Sequence, residues 1–326
     1  MLLRTKTVIH LTGGLGNQLF QLAAGLYSTP KDNLVFEKSL GKPRVNKKLI
    51  PDICEYDLAA NIQENFLQNS NQTRISQRII NFALRSGSSS KGLGRFTIGR
   101  AFIASLGSIV LTIQFSQILI LRVGQGIGYF KSGSRRRFLS SYQVGYFQSY
   151  KWASTPHIFE QLQAISLVNP SAKISQLIDQ AKRVKPVVIH IRLGDYKGEG
   201  GFGILGKEYY KKSLQSLTEV DSSAEYWFFS DEPELAREYL KDILPEGKWI
   251  QPEIGSSAEV LELMRYGSAY VIANSSFSWW AAFLRKDQRS QVVAPDPWFK
   301  TGSPEDLLPP SWLRVAASSI SGVKVM

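Results

Sequence analysis

The chain has little of what builds covalent or metal frameworks: one cysteine, Cys54, and three histidines in 326 residues. A single thiol excludes an internal disulfide, and scattered histidines without neighbouring thiols exclude zinc-cluster spacing, so a reducing compartment is the simpler setting. The opening Met1-Leu-Leu-Arg-Thr-Lys-Thr7 is too short and too interrupted for a secretory apolar core, which reads as a cytoplasmic protein. Acid is missing over a long stretch. From Asn65 through Phe159 there is no Asp or Glu, while twelve Lys and Arg fall inside, among them Arg135, Arg136 and Arg137. Taking those 12 from the total of 39 leaves 27 basic residues against 27 acidic, so the net charge of +12 resides in this segment. Such a patch asks for an anionic partner: nucleic acid, acidic lipid or a phosphorylated substrate. At an anionic leaflet each cation contributes about 1 kcal/mol.

A clean membrane-spanning run is also lacking. The uncharged stretch 101–121, between Arg100 and Arg122, has the length of a bilayer span but is diluted by Ser105, Ser108, Thr112, Gln114, Ser116 and Gln117. Three readings stay open: a span, a membrane-surface element with a basic rim, or a buried strand pair beneath a basic face.

What is present is the composition of a globular protein, 43% hydrophobic and 20% charged, with length enough for two domains. Val8–Leu11, a glycine turn, a helix over Gln18–Tyr27 and Leu34–Glu37 read as an opening β-α-β unit. Residues 40–150 carry no clear pattern. Beyond Asn169-Pro170, strands predicted at 187–192, 226–229, 249–250, 269–273 and 291–294 alternate with helices at 172–183, 207–219, 233–241, 258–266 and 279–284. That alternation predicts a parallel sheet. The expected domains are 1–168, containing the basic segment 65–159, and 169–326.

Four motifs carry chemistry. Val187-Val-Ile-His-Ile-Arg-Leu-Gly-Asp-Tyr196 runs from an apolar strand into His190, Arg192 and Asp195, where an open α/β sheet exposes ligand groups. The planar fork of Arg192 suits a phosphate, although an ordinary ion pair with Asp195 would also explain it. Thr12-Gly-Gly-Leu-Gly-Asn-Gln-Leu-Phe-Gln21 places Gly14, Gly16 and Asn17 between strand and helix, so backbone N–H groups can face an anion. It also resembles a dinucleotide fingerprint with Glu37 as the ribose acid, except that the third glycine position is Leu19. In Phe228-Phe-Ser-Asp-Glu-Pro233, Ser230 or Asp231 can cap a helix begun by Pro233, or Asp231 can bind a base or ribose. In Ala273-Asn-Ser-Ser-Phe-Ser-Trp-Trp-Ala-Ala282, Asn274, Ser275, Ser276 and the backbone at Phe277 converge at a helix start, more polar groups than one cap needs. Trp279 and Trp280 read as packing residues.

Together with Gly145-Tyr-Phe-Gln148, these segments resemble the motifs of the family 11 glycosyltransferases, the α-1,2-fucosyltransferases. The resemblance implies an α/β fold of GT-B-like type, two Rossmann-like domains with a cleft between them, the first on the acceptor side and the second binding the nucleotide sugar. It implies inverting transfer of L-fucose from GDP-β-L-fucose to a hydroxyl, O2 of a galactose, without a metal or other cofactor. On this pattern Arg192 holds the β-phosphate with Ser275, Ser276 and the Phe277 N–H, and Asn17 closes over it from the first domain. His190 contacts the nucleotide or orients Arg192, Asp231 meets the guanosine, Asn274 lines the donor site, and Asp195 is a candidate base. Many members carry a second arginine where this chain has Leu193, so that guanidinium's role does not transfer. The basic segment, whose residues from about 65 to 144 match the family least, would dock at the inner face of the plasma membrane and bring a lipid-linked oligosaccharide acceptor, with no nucleic acid involved. The competing readings are a basic membrane-surface or nucleic-acid-binding protein on an α/β scaffold, and a dinucleotide-dependent oxidoreductase.

Overall fold

The computed structural model describes residues 7–11, 13–37, 52–58, 105–109, 119–123, 140–194, 203–218, 220–300 and 302–320. The chain divides into two compact units, Met1–Ser166 and Leu167–Met326.

In the first unit β1 (Thr7–His10), α1 (Leu15–Ser28) and β2 (Leu34–Glu37) form the expected β-α-β turn. A short β3 (Tyr56–Asp57) follows, and then β4 (Leu119–Val123) and β5 (Ser140–Val144) complete a four-stranded sheet in the order β2-β1-β5-β4. All three pairings are parallel. Helices α2 (Tyr150–Ala153) and α3 (Pro156–Gln163) pack on α1. Apart from Asn17, α1 is buried from Leu15 through Leu26, and it lies close on β1. A Cβ on Gly25 would collide with Ile9 Cδ1. The close helix–strand approach that a dinucleotide fingerprint assigns to its third glycine is therefore made by Gly25, while Leu19 fills the core.

The apolar run 101–121 is not one element. Residues 105–109 are helical, and β4 begins at Leu119 and pairs along its length with β5. That strand takes the last three residues of the run, and among the described residues no helix is long and apolar enough to cross a membrane.

After β6 (Ser166–Leu167) the second unit alternates as expected: α4 (Ala172–Val184), β7 (Val187–Ile191), a short β8 (Ile204–Leu205), α5 (Lys207–Gln215), β9 (Tyr226–Ser230), α6 (Pro233–Leu240), β10 (Lys248–Ile250), α7 (Ser257–Met264), β11 (Ala269–Val271), α8 (Ser276–Phe283) and β12 (Gln291–Asp296). Three strands escape the sequence reading: β8, β13 (Leu313–Ala316) and β14 (Ser319–Ile320). Six strands form one sheet in the order β10-β9-β7-β11-β12-β13, every pairing parallel. The α/β class with parallel sheets is thus observed in both units.

Local signals fix the helices that matter. Ser171 caps α4, and Ser256 with Glu259 forms a reciprocal capping box on α7. Trp279 and Trp280 are fully buried, and Trp279 Nε1 donates to Leu307 O at 2.9 Å. Burying a ring of that size contributes about 3 kcal/mol, which anchors α8 against the sheet.

Candidate active site

From β7 the second unit's chain steps outward to β9 and β10, then returns to β11 on the other side of β7. The order reverses there, and a parallel sheet opens a crevice outside the carboxyl ends of the two strands at such a point. Three motifs meet at this edge: Arg192 one residue beyond β7, Asp231 one residue beyond β9, and Asn274 to Phe277 spanning the end of the β11–α8 loop and the start of α8.

Asp231 organises the β7 end. Its Oδ1 accepts from Leu193 N at 3.0 Å, its Oδ2 accepts from Gly194 N at 2.9 Å, and Oδ2 lies 3.3 Å from Arg192 Nε. The side chains of Arg192 and Asp231 are 26% and 19% exposed, so the pair is accessible yet shielded. Both carboxylate oxygens face the β7 loop, and Asp231 does not cap the following helix. The N-cap of α6 is Glu232, without a side-chain cap bond, and Ser230 Oγ accepts from Glu232 N. Asp195, expected beside Arg192, lies outside the described residues.

His190 is buried on β7 against the Phe277 ring, with centroids 6.0 Å apart, which couples β7 to the start of α8. Burial, then the neighbouring Arg192 cation, pushes its pKa down to about 3. The imidazole is therefore neutral at any working pH, and its Nδ1 is buried without a hydrogen-bond partner among the described residues.

The polar cluster after β11 is more structural than its sequence implied. Ser275 caps α8 by accepting from Phe277 N at 3.4 Å. Ser278 Oγ bonds back to Ala273 O and Ser275 O, and Asn274 Nδ2 ties Gly203 O to Trp298 O. Local bonding accounts for Ser275 and Ser278 and long-range bonding for Asn274, whereas one cap was expected to account for a single serine. The half-exposed Ser276 and Phe277 remain at the helix start, whose N–H groups carry partial positive charge.

The first unit has its own reversal, between β1 and β5. Here the glycine turn meets the Gly145–Gln148 segment. Gln148 Nε2 donates to Asn17 Oδ1 at 2.7 Å, and Gln21 Nε2 donates to Gly145 O at 2.9 Å. Gln18 serves the scaffold, donating to Gly13 O and accepting from Ile53 N, both at 3.0 Å.

The family model of glycosyl transferase family 11 matches residues 129–315, more than half of the chain. The chain belongs to glycosyl transferase family 11. An α-1,2-colitosyltransferase of Escherichia coli is 26% identical over 329 residues, spanning 94% of this chain and 98% of that relative. Among solved structures, the fucosyltransferase NodZ from Bradyrhizobium aligns with 11% identity and a TM-score of 0.45 over 86% of this chain and 92% of that one. A family 9 glycosyl transferase from Veillonella parvula aligns with 11% identity and a TM-score of 0.45, over 97% and 86%.

For a family 11 glycosyltransferase, the dinucleotide reading of Gly14, Gly16 and Glu37 loses its basis. Within the second unit the structure brings His190, Arg192, Asp231, Asn274, Ser275, Ser276 and Phe277 to one sheet edge. It keeps Gly14, Gly16 and Asn17 at the corresponding edge of the first. Sequence reasoning passed over Gln148, for which the only signal was the Gly145-Tyr-Phe-Gln148 segment itself.

Proposed function

We propose that this glycosyltransferase moves L-fucose from GDP-β-L-fucose to O2 of a galactose in an oligosaccharide, inverting the anomeric centre and using no metal. The observation that carries this reading is the Arg192–Asp231 pair beside the start of α8, at the point where the sheet order reverses. In the reaction the acceptor oxygen attacks the anomeric carbon as its bond to the β-phosphate breaks. The electron pair leaves on the phosphate, and the acceptor proton passes to a base, for which Asp195 is proposed. Charge develops on the phosphate oxygens, where the Nη fork of Arg192 and the α8 N–H groups would meet it without reorganising. His190, neutral, would contact the nucleotide, Asn274 would hold the pocket wall, and Asn17 would donate to the substrate.

The relative's name motivates a second donor. Colitose is fucose without its 3-hydroxyl. A site built to hydrogen-bond that hydroxyl would reject the deoxy sugar by about 10⁴-fold, whereas an apolar lining there separates the two by only about 10²-fold. The test is incubation with GDP-fucose and GDP-colitose against galactose-terminated acceptors, with linkage analysis and an EDTA control. Fucose joined α-1,2 at a rate unaffected by EDTA is expected. Preference for GDP-colitose would move the activity to the relative's donor, and failure to bind GDP would end the nucleotide-sugar reading.

We further propose that the acceptor is lipid-linked and that the basic segment holds the enzyme at an anionic, cytoplasmic membrane surface. The support is the absence of acid from Asn65 through Phe159, with Leu106 and Ile109 exposed three residues apart on the helical stretch 105–109. Replacing Arg135, Arg136 and Arg137 by glutamine should weaken sedimentation with phosphatidylglycerol vesicles at least tenfold. Unchanged sedimentation would remove the segment from membrane binding.

A further inference from the structure

We propose that Gln148 is a positioning residue that decides which side of the Asn17 amide is offered to substrate. The inference rests on the reading that Asn17 donates to substrate. Gln148 lies 131 residues from Asn17 in sequence, yet its Nε2 donates to Asn17 Oδ1 at 2.7 Å. An asparagine amide has one accepting side and one donating side. With Oδ1 held, Nδ2 is turned over the glycine turn, where a Cβ on Gly13 would stand 2.5 Å from it. Asn17 is half-exposed, whereas Gln148 is only 8% exposed. The donating side therefore lies at the start of α1 beside the exposed Gly13 and Gly14, next to the first turn of the helix, an arrangement that suits a phosphate or sugar oxygen.

The segment carrying Gln148 is built to hold this orientation. Phe147, fully buried, has φ 52, a left-handed conformation that a bulky residue adopts only when its surroundings impose it. Gln21 pins the adjoining Gly145 carbonyl to α1. The strained backbone delivers the Gln148 side chain to Asn17, and a structural filler at that position would need no such geometry.

The test compares Gln148→Glu, Gln148→Ala, Asn17→Ala and the Asn17→Ala/Gln148→Ala double variant in the full-length enzyme with GDP-fucose and acceptor. Thermal unfolding confirms that each is folded. Loss of the Asn17 donor should lower kcat/KM by about 10- to 100-fold, the range for a hydrogen bond to a charged group. An ionised carboxylate at 148 only accepts, so it would draw Nδ2 to itself and turn Oδ1 toward substrate. Gln148→Glu should therefore lose at least as much as Asn17→Ala at neutral pH, and regain activity as pH falls and the introduced carboxyl becomes a donor. The double variant should match Asn17→Ala. If Asn17→Ala keeps its activity, the reading of Asn17 fails. If Asn17→Ala is impaired but Gln148→Glu stays within about threefold of the parent at neutral pH, or the losses in the double variant multiply, the positioning role is overturned.

Discussion

Replacing Arg192 by lysine should lower kcat by about 10²- to 10³-fold while the protein stays folded, the loss expected when one fixed donor is removed from developing charge. Lysine keeps the charge but not the planar fork, and its compact ammonium cannot meet Asp231 through a side nitrogen while offering two parallel donors to a phosphate. The position makes this variant informative, because Arg192 sits just past the fully buried β7 and Asp231 meets it from the residue after β9. Its neighbour sharpens the test. Leu193 is 0% exposed and belongs to the apolar core of the second unit, so no second guanidinium at that position can cover the loss. Steady-state kinetics with saturating donor give kcat, and circular dichroism with a melting curve reports the fold. A rate near that of the parent would show that Arg192 does not clamp the phosphate.

How far the sequence disclosed this site depends on what kind of signal each residue leaves. The strands β7, β9, β11 and β12 were legible because each is a short run of apolar residues buried on both faces, as parallel sheets demand. β13 was not, since Leu313, Arg314 and Ala316 are exposed and only Val315 is buried, which leaves neither a run nor an alternation. Leu119–Val123 was hidden inside an apolar stretch that could equally be helix, strand or membrane surface, and only its pairing with β5 decides. Arg192 was visible as a guanidinium at a strand end. The partners that aim it were not: Asp231 is 39 positions away in sequence, and a capping role explained it locally just as well. The serines after β11 erred the other way, because short polar side chains bond their own turn so readily that an abundance of them overstates a ligand site. Gln148 left no chemical signal, since an amide that orients another amide looks like any surface glutamine until the segment after β5 lies beside the start of α1.

Asp231 gives the second large effect. One carboxylate receives Leu193 N, Gly194 N and Arg192 Nε, so three donors lose their acceptor when it is removed. Asp231→Ala should lower kcat/KM by at least about 10²-fold and destabilise the second unit by roughly 2–4 kcal/mol, the range for losing charge-assisted bonds that leave shielded donors unmet. Asp231→Asn separates the two consequences. Its Oδ1 can still accept from Leu193 N, but its Nδ2 then faces both Gly194 N and Arg192 Nε, so only part of the stability should return while Arg192 stays misaimed and the rate stays low. Gly194→Ala reaches the same oxygen without changing any charge, because the added Cβ would stand 2.8 Å from Asp231 Oδ2 and must displace it. If the carboxylate works through Arg192, then Arg192→Lys combined with Asp231→Asn should be little worse than Arg192→Lys alone. Multiplying losses would instead mean that Asp231 touches the donor directly, as a guanosine ligand would.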